Sequence, residues 1–371
     1  RTEIAVVEDE IDIEDLIDEE DCVYTLTNAG YIKRMPVSAY RTQRRGGKGI
    51  TAMTTREKDF VETLFVASTH DYILFFTNQG KAHRKKGYLI PEAGRTAKGT
   101  NLVNILPLEQ GEKVNAMIHV RSFPDNQYLT MITRTGTVKR ITLASINTAR
   151  KAGIRAIRLE EDDELISVRE TDGNQNIIIA THDGMAICFQ ETDVRVMGRD
   201  AVGVRGIRLR EGDYAVGGAR ARPNGALLTV TENGYGKRTL IGEYLRGSEG
   251  EAEDPAANAE AGLYARQPQK RGGYGLMNYC ITEKTGKVAA VKVVDEDDDI
   301  MVISDDGTII RMAAGDINLY RRATQGVILM RVTEGAKVIS IARTEREEEE
   351  GEEAEEQASG QAGEQSPDPE P

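Results

Sequence analysis

The segment VYTLTNAG, residues 23–30, decides the fold because five later segments repeat its pattern. Each has a short apolar or β-branched run, then Ser or Thr, two further residues and Gly. The five are ILFFTNQG (73–80), LTMITRTG (129–136), IIIATHDG (177–184), LLTVTENG (227–234) and IMVISDDG (300–307). Asn, Asp and Gly between two β-type runs are typical of hairpin turns, because these residues accept a positive φ at low cost. The repeat predicts six β-hairpins with turn glycines at positions 30, 80, 136, 184, 234 and 307.

The remainder of each unit repeats as well. A second glycine follows the turn glycine after 17 to 19 residues in every unit except the fifth, where the distance is 41. A β-type run follows each second glycine, as in GIRAIRL (153–159) and GVRGIRL (203–209), and another alternating run closes the unit. Four strands of period two, repeated six times, are typical of a propeller. We predict an all-β fold of six four-stranded antiparallel blades that closes into a ring.

The charge of the chain is divided into three parts. Residues 1–21 hold 11 acidic residues and one basic residue, and residues 344–371 hold 12 acidic residues and one basic residue. Since the net charge of the whole chain is -13, residues 22–343 carry a net charge of +8. Acidic, low-complexity ends bury too little apolar surface to fold. We expect an acidic linker at 1–21, a basic propeller at 22–343 and a disordered acidic tail at 344–371, which either solubilises the domain or competes for a basic surface.

The composition argues against several classes of protein. No apolar run approaches the roughly 20 residues that span a bilayer, and the first residues lack the layout of a signal peptide. Cys22, Cys188 and Cys280 are odd in number and far apart, as suits a reducing cytoplasm and not a disulfide framework. The four histidines are equally scattered. We expect a cytoplasmic protein with no metal, no cofactor and no membrane contact.

Basic residues recur at two fixed positions of the hairpin. The third residue after the turn glycine is Lys33, His83, Lys139, Ile187, Lys237 or Ile310, and the fourth is Arg34, Arg84, Arg140, Cys188, Arg238 or Arg311. In a ring of equivalent blades, one repeated position lies at one radius and one height. The pattern therefore predicts a cationic band around the ring, with a gap at the fourth blade.

The stretches before the second glycines add further cations. They are Arg41, Arg44, Arg45, Lys48, Lys85, Lys86, Arg95, Lys98, Arg150, Lys151, Arg195, Arg199, Lys270, Arg271, Arg321 and Arg322. A continuous cationic band is suited to a phosphate backbone, which it binds without reading bases. The tyrosines lie mostly within the β-type runs, whereas single-strand binding needs exposed rings between the cations. Duplex DNA is the predicted ligand.

The first of these stretches, QRRGGKG, resembles the hallmark of one family, the C-terminal domain of gyrase A, the DNA-cleaving chain of DNA gyrase. The hallmark, called the GyrA box, reads Gln, basic, Arg, Gly, Gly, basic, Gly. It is matched at every position by Gln43, Arg44, Arg45, Gly46, Gly47, Lys48 and Gly49. The fifth unit carries a near copy, QKRGGYG at residues 269–275, in which Tyr274 replaces the basic residue at the sixth position. The resemblance covers residues 22–343.

The resemblance implies a β-pinwheel, a propeller variant in which neighbouring blades exchange strands. It also implies that DNA wraps around the rim with positive handedness, and that the box sets handedness and closure because it lies where the first blade meets the last. The implied partners are the cleavage domain of the same full-length chain and gyrase B, in an A2B2 heterotetramer that uses ATP to supercoil DNA negatively. Gyrase carries its catalytic tyrosine and ATPase site on other domains. This segment is therefore expected to be monomeric in isolation and to have no catalytic residue.

Two alternatives remain open at this point. The corresponding C-terminal domain of topoisomerase IV has similar blades but lacks an intact box. A protein-interaction propeller would carry the same cations incidentally, and its binding need not weaken with salt as DNA binding does. A propeller enzyme would need carboxylates or histidines clustered on one face, and the sequence shows no such cluster.

Overall fold

A computed structural model describes residues 13–37, 59, 61–94, 97–148, 150, 152–246, 267–306 and 308–345. Several predicted features lie outside these residues: the box at 43–49, the turn glycine at 307, the tail beyond 345 and the side chains of Arg41, Arg95 and Lys151. The predictions made for them stay predictions.

The strands follow the repeat closely. The first three units contribute β1 (Asp21–Thr27), β2 (Tyr31–Pro36), β3 (Val61–Ser68), β4 (Tyr72–Thr77), β5 (Lys81–Lys86), β6 (Thr100–Asn101), β7 (Val114–Val120), β8 (Tyr128–Thr133), β9 (Thr137–Thr142), β10 (Ile154–Arg155) and β11 (Leu165–Thr171). The last three contribute β12 (Asn176–Thr181), β13 (Met185–Gln190), β14 (Val204–Arg205), β15 (Ala215–Arg220), β16 (Ala226–Thr231), β17 (Tyr235–Leu240), β18 (Leu276–Met277), β19 (Val288–Val294), β20 (Asp298–Ser304), β21 (Ile309–Ala313), β22 (Val327–Ile328) and β23 (Val338–Glu345). Short 3-10 helices cover Ile13–Leu16, Gly87–Leu89, Leu102–Asn104, Leu143–Ile146, Glu191–Asp193, Ile241–Tyr244 and Ala314–Asp316.

Each blade is assembled from two successive units. The strand orders are β3-β1-β2-β6, β7-β4-β5-β10, β11-β8-β9-β14, β15-β12-β13-β18 and β19-β16-β17-β22, with β23-β20-β21 as the described part of the sixth blade. The two-residue strands β6, β10, β14, β18 and β22 thus each complete the blade of the preceding unit, and every pairing between the strands is antiparallel. This confirms the six-bladed fold and the strand exchange between blades.

The innermost strands close the ring. Contacts run from β3 to β7, β11, β15, β19 and β23 in turn, and β23 contacts β3. The apolar core lies between the blades, as where Leu74 and Phe76 of the second blade pack with Leu129 and Met131 of the third. Both faces of the middle strands are covered in this way, and all six residues of β16 are buried.

The glycines of the repeat have the expected backbone. The five described turn glycines have φ between 76° and 81°, which confirms their hairpin turns. The second glycines allow the outermost strand to approach the hairpin closely. A Cβ on Gly275 would lie only 2.3 Å from the carbonyl oxygen of Ala186, so a larger residue there would separate the outermost strand from its blade.

Part of the acidic segment before β1 packs against the second blade. The Lys86 amine lies 2.7 Å from Glu14 Oε1. The His70 Nε2 lies 2.9 Å from the carbonyl oxygen of Ile17, and the Thr69 hydroxyl donates to that of Asp18 at 3.0 Å. Residues 13–20 are therefore attached to the propeller along one side of this blade.

Candidate nucleic-acid interface

Lysines at the third position of the hairpin lie inside the blades. Lys33, Lys139 and Lys237 are 5%, 0% and 0% exposed. The Lys33 amine donates to the carbonyl oxygens of Gly94 at 3.2 Å and Ala97 at 3.1 Å. We call the stretch that leads into a blade's outermost strand its rim loop; the described rim loops are 91–99, 147–153, 194–203, 267–275 and 318–326, with gaps at 95, 96, 149 and 151. Lys33 therefore holds the rim loop of its own blade from inside the blade.

The other two lysines do the same in the third and fifth blades. Lys237 donates to the carbonyl oxygen of Arg321 at 2.7 Å, to that of Arg322 and to the Thr324 hydroxyl at 3.0 Å. Lys139 donates to the carbonyl oxygens of Ala156, at 2.9 Å, and Arg199. Burial lowers the pKa of Lys139 to about 8 and that of Lys237 to about 7. Carbonyl oxygens offset part of the cost of removing an ammonium from water, so these amines fasten the rim loops.

The arginines at the fourth position fasten the segment that precedes the rim loop. Arg238 donates from Nε to the carbonyl oxygen of Ile317 at 2.6 Å, and Arg34 to that of Ile90 at 2.9 Å. The Arg140 guanidinium lies 3.3 Å from the buried carboxylate of Glu191. The two remaining members differ: Arg84 stacks over Tyr72, and Arg311 pairs with Asp299 at 2.7 Å.

Five residues that were predicted to belong to the cationic band are therefore not on the surface. Lys33, Lys139, Arg140, Lys237 and Arg238 are buried and donate to protein oxygens, so they cannot lie on an exposed rim. The reason is the covering of both faces of the middle strands by neighbouring blades. A cation on β2, β9 or β17 is enclosed whichever face it takes, and a long side chain then reaches the nearest carbonyl oxygens.

Half of the described cations in the stretches before the second glycines remain exposed. Those that face solvent are Lys98, Arg150, Arg195, Lys270 and Arg321. The other five are half-buried: Lys85, Arg199, Arg271, Lys86, whose amine pairs with Glu14, and Arg322, which lies 3.9 Å from Glu243.

The structure adds a set of arginines that the prediction missed. The runs GIRAIRL and GVRGIRL place Arg155, Arg158, Arg205 and Arg208 on the outside of the second and third blades, where all four are exposed. In the same runs Ile154, Ile157 and Ile207 are buried. The alternation of Ile and Arg was visible in the sequence and would have identified these side chains, had the runs been recognised as outermost strands.

The fifth unit shows how a box-like loop is built. Gln269 is buried and donates from Nε2 to the carbonyl oxygen of Tyr244 at 3.1 Å. Arg271 turns inward and donates to two carbonyl oxygens, of Asp193 at 2.8 Å and Arg205 at 3.0 Å. Lys270 and Tyr274 instead face solvent, and the Arg208 guanidinium carbon lies 5.4 Å from the centre of the Tyr274 ring.

The described residues contain no group of three or more His, Cys, Asp or Glu placed to hold a metal ion. Within the same residues, no helix is long and apolar enough to cross a membrane.

Comparison with known proteins gives the family. A model described as "DNA gyrase C-terminal domain, beta-propeller" matches residues 23–68, 71–121, 127–172, 175–221, 226–248 and 298–345. The chain is 45% identical to the gyrase A chain of DNA gyrase from Clostridium acetobutylicum over 348 residues, covering 94% of this chain and 39% of that protein. It is 41% identical to the gyrase A chain from Escherichia coli K12 over 343 residues, covering 92% and 37%. The chain thus spans less than half the length of these relatives.

Solved structures share the architecture. A structure titled "Structure of DNA gyrase A C-terminal domain" superposes with a TM-score of 0.66 and 26% identity, covering 87% of this chain and 99% of that one. The C-terminal domain of DNA topoisomerase IV superposes with a TM-score of 0.71 at 24% identity, covering 89% and 94%, which shows the fold alone. Since the family model matches most of the chain, blade by blade, this protein belongs to the family of DNA gyrase C-terminal domain β-propellers.

Proposed function

We propose that the propeller binds duplex DNA without sequence specificity and wraps it around its rim with positive handedness. In this role it is the non-catalytic C-terminal domain of a gyrase A chain in the bacterial cytoplasm, where it works with the cleavage domain of the full-length chain and with gyrase B. The observation that carries the proposal is the placement of Arg155, Arg158, Arg205, Arg208 and Lys270, all exposed along the outside of successive blades.

The energetics of bending require many such contacts. Four strands about 4.8 Å apart give a six-bladed disc with a radius of about 25 Å. Bending a duplex by half a turn around such a disc costs on the order of 10 kcal/mol by the elastic estimate. One loop with three cations cannot supply this free energy. Roughly ten phosphate contacts at physiological salt can, because each releases condensed counterions. A rim that carries exposed cations on several blades meets this requirement.

The proposal is tested by the salt dependence of binding. The binding constant falls as salt rises, and each phosphate contact contributes about 0.9 to the steepness of log K against log salt. Replacing Arg155, Arg158, Arg205 and Arg208 by Gln is expected to make this dependence less steep by about 3 to 4. Affinity for linear duplex should fall equally for unrelated sequences, because phosphate contacts carry no sequence information. Fluorescence anisotropy with two duplexes of different sequence, at several salt concentrations, measures both quantities.

A matched control removes the same charge elsewhere. Lys113, Arg134, Lys284 and Lys337 are exposed at the hairpin-turn end of the blades and not on the outermost strands. Their replacement by Gln is expected to change the slope by less than half as much. Equal slopes for the two variants would contradict a binding surface on the rim, and salt-insensitive binding would favour the protein-interaction propeller.

The intact box at 43–49 favours gyrase over topoisomerase IV within this proposal. On the same fold, the topoisomerase IV alternative bends DNA without a positive chiral wrap. A positive shift in linking number separates them.

A further inference from the structure

The rim loops of the first, third, fourth and fifth blades are fastened in two different ways. In the first, third and fifth blades a buried lysine reaches outward into the loop, as the Lys237 amine does to the carbonyl oxygen of Arg321 at 2.7 Å. The fourth blade has Ile187 at the same position, fully buried. An isoleucine side chain cannot donate a hydrogen bond, so the rim loop at 267–275 has to be held by something else.

In that blade the donor comes from the loop. Arg271 reaches inward from the loop to the carbonyl oxygen of Asp193 in the fourth unit, and to that of Arg205 on the outermost strand of the third blade. The loop backbone adds bonds from Gly272 to the carbonyl oxygen of Gly206 at 2.6 Å and from Gln269 to that of Cys188 at 2.8 Å. The direction of the fastening is therefore reversed relative to the lysine blades.

We propose that Arg271 is a positioning residue that replaces the missing buried lysine, and that it holds the loop so that Lys270 and Tyr274 contact the DNA backbone. The second half rests on the proposed function, whereas the fastening does not. Lys270 is 91% exposed at its side chain and Tyr274 is 48% exposed. Both therefore extend from a loop whose inner side Arg271 and Gln269 fix.

The sequence shows the same exchange once more. The hairpin of the sixth unit has Ile310 at the lysine position, and the first unit, which follows the sixth around the ring, contains QRRGGKG. The rim loops of the three lysine blades, PEAGRTAKG, VRVMGRDAVG and NLYRRATQG, contain no Gln-x-Arg-Gly-Gly. The motif thus occurs in the two units whose preceding blade has isoleucine in place of lysine. The proposal calls for an arginine at the third residue of the motif, and both copies have one in the sequence.

The position of Ile187 would allow a lysine at this site to hold the rim loop in place of Arg271. Its Cδ1 lies 3.9 Å from the position that a Cβ would take on Gly273, inside the rim loop. A lysine at 187 would therefore point into the loop as Lys237 does in the fifth blade. This makes Ile187→Lys a rescue of Arg271→Ala.

The test follows amide hydrogen exchange of residues 267–275 without DNA, in the full 371-residue chain. We expect Arg271→Ala to speed exchange of the Gly272 amide at least tenfold, and Ile187→Lys in the same chain to restore most of the protection. Lys270→Ala removes the same charge and is expected to leave exchange unchanged. Unchanged exchange in Arg271→Ala, or no recovery in the double variant, would overturn the proposal.

DNA affinity of the same variants tests the second half separately. We expect Arg271→Ala to weaken binding of linear duplex about threefold or more, with recovery in the double variant. Lys270→Ala and Tyr274→Ala should weaken it without recovery when Ile187→Lys is added. If the double variant recovers protection from exchange but not DNA affinity, the proposed DNA contact is overturned and the proposed fastening by Arg271 stands.

Arg271→Lys serves if the alanine variant does not fold. Lysine keeps the charge but cannot donate from two nitrogens, so exchange of the Gly272 amide is expected to be intermediate.

Discussion

Replacing Lys237 by Ala is expected to destabilise the propeller by about 3 kcal/mol without removing a charge that contacts DNA. The substitution removes the donor for the carbonyl oxygens of Arg321 and Arg322 and for the Thr324 hydroxyl. Each buried polar group without a partner costs about 1–3 kcal/mol, and the lost side chain leaves a void beside Tyr279, whose ring lies 5.2 Å from the amine. Urea unfolding monitored by circular dichroism measures the loss.

Lys270→Ala is the matched control for this substitution. It removes the same charge from a side chain that is 91% exposed and whose amine makes a surface ion pair with Asp193 at 3.6 Å, so a change below about 0.5 kcal/mol is expected. At a temperature where both variants are folded, the salt slope for DNA should fall for Lys270→Ala and stay unchanged for Lys237→Ala. A loss of slope without a loss of stability in Lys237→Ala would show that this amine contacts phosphates after all.

Replacing Arg44, Arg45 and Lys48 together by Ala is expected to abolish chiral wrapping while most of the simple binding remains. In the proposed function, binding is spread over cations on several blades, so three of them contribute a minority of the phosphate contacts. Wrapping instead needs the duplex held at the point where the first and sixth blades meet, which the GyrA box resemblance assigns to this loop. The linking-number shift of a relaxed plasmid reports wrapping, and anisotropy with a short duplex reports binding.

The control for the box also removes three exposed rim-loop cations, Lys98, Arg150 and Arg321. This variant is expected to lose about as much binding as the box variant but to keep a measurable linking-number shift. If the box variant loses binding and wrapping in the same proportion, the box is one phosphate contact among many and does not determine handedness.

Much of the fold could be read from the sequence because hairpin turns leave a local signal. Five turn glycines with positive φ were located by the residues around them alone. The partner of each outermost strand could not be located in this way. Residues such as Ile154 and Val204 pair with the hairpin of another unit, and no local preference of a two-residue strand reveals that.

Several cations predicted in the loops are exposed, as contacts with DNA would require, whereas most of those predicted on the hairpin strands are buried or half-buried. A repeated lysine such as Lys139 looks like a repeated surface charge when only its spacing is known. Its burial follows from the neighbouring blade, which covers the face that would otherwise meet water, and that face becomes known only with the packing. Arg155 and Arg205 were missed for the converse reason, since they lie on the one strand of each blade whose outer edge has no neighbour.

The contacts of Gln269 and Arg271 give the near copy of the box a structural role beyond its charge. In the described copy, Gln269 and Arg271 face the protein, and only Lys270 and Tyr274 face outward. The seven residues QKRGGYG thus divide into residues that hold the loop and residues that face a ligand. Total charge alone is therefore a poor guide to the effect of a substitution within such a loop.

The most direct test of the central claim is a topology measurement on the complete chain. Residues 1–371 are bound to relaxed circular plasmid, the DNA is relaxed again with a type I topoisomerase, the protein is removed, and the distribution of linking numbers is resolved on a gel. Positive chiral wrapping predicts a shift to higher linking number that grows with the ratio of protein to DNA and is lost at high salt. Tight, salt-sensitive binding with no shift in linking number would contradict it and would leave a basic propeller that holds DNA without wrapping it.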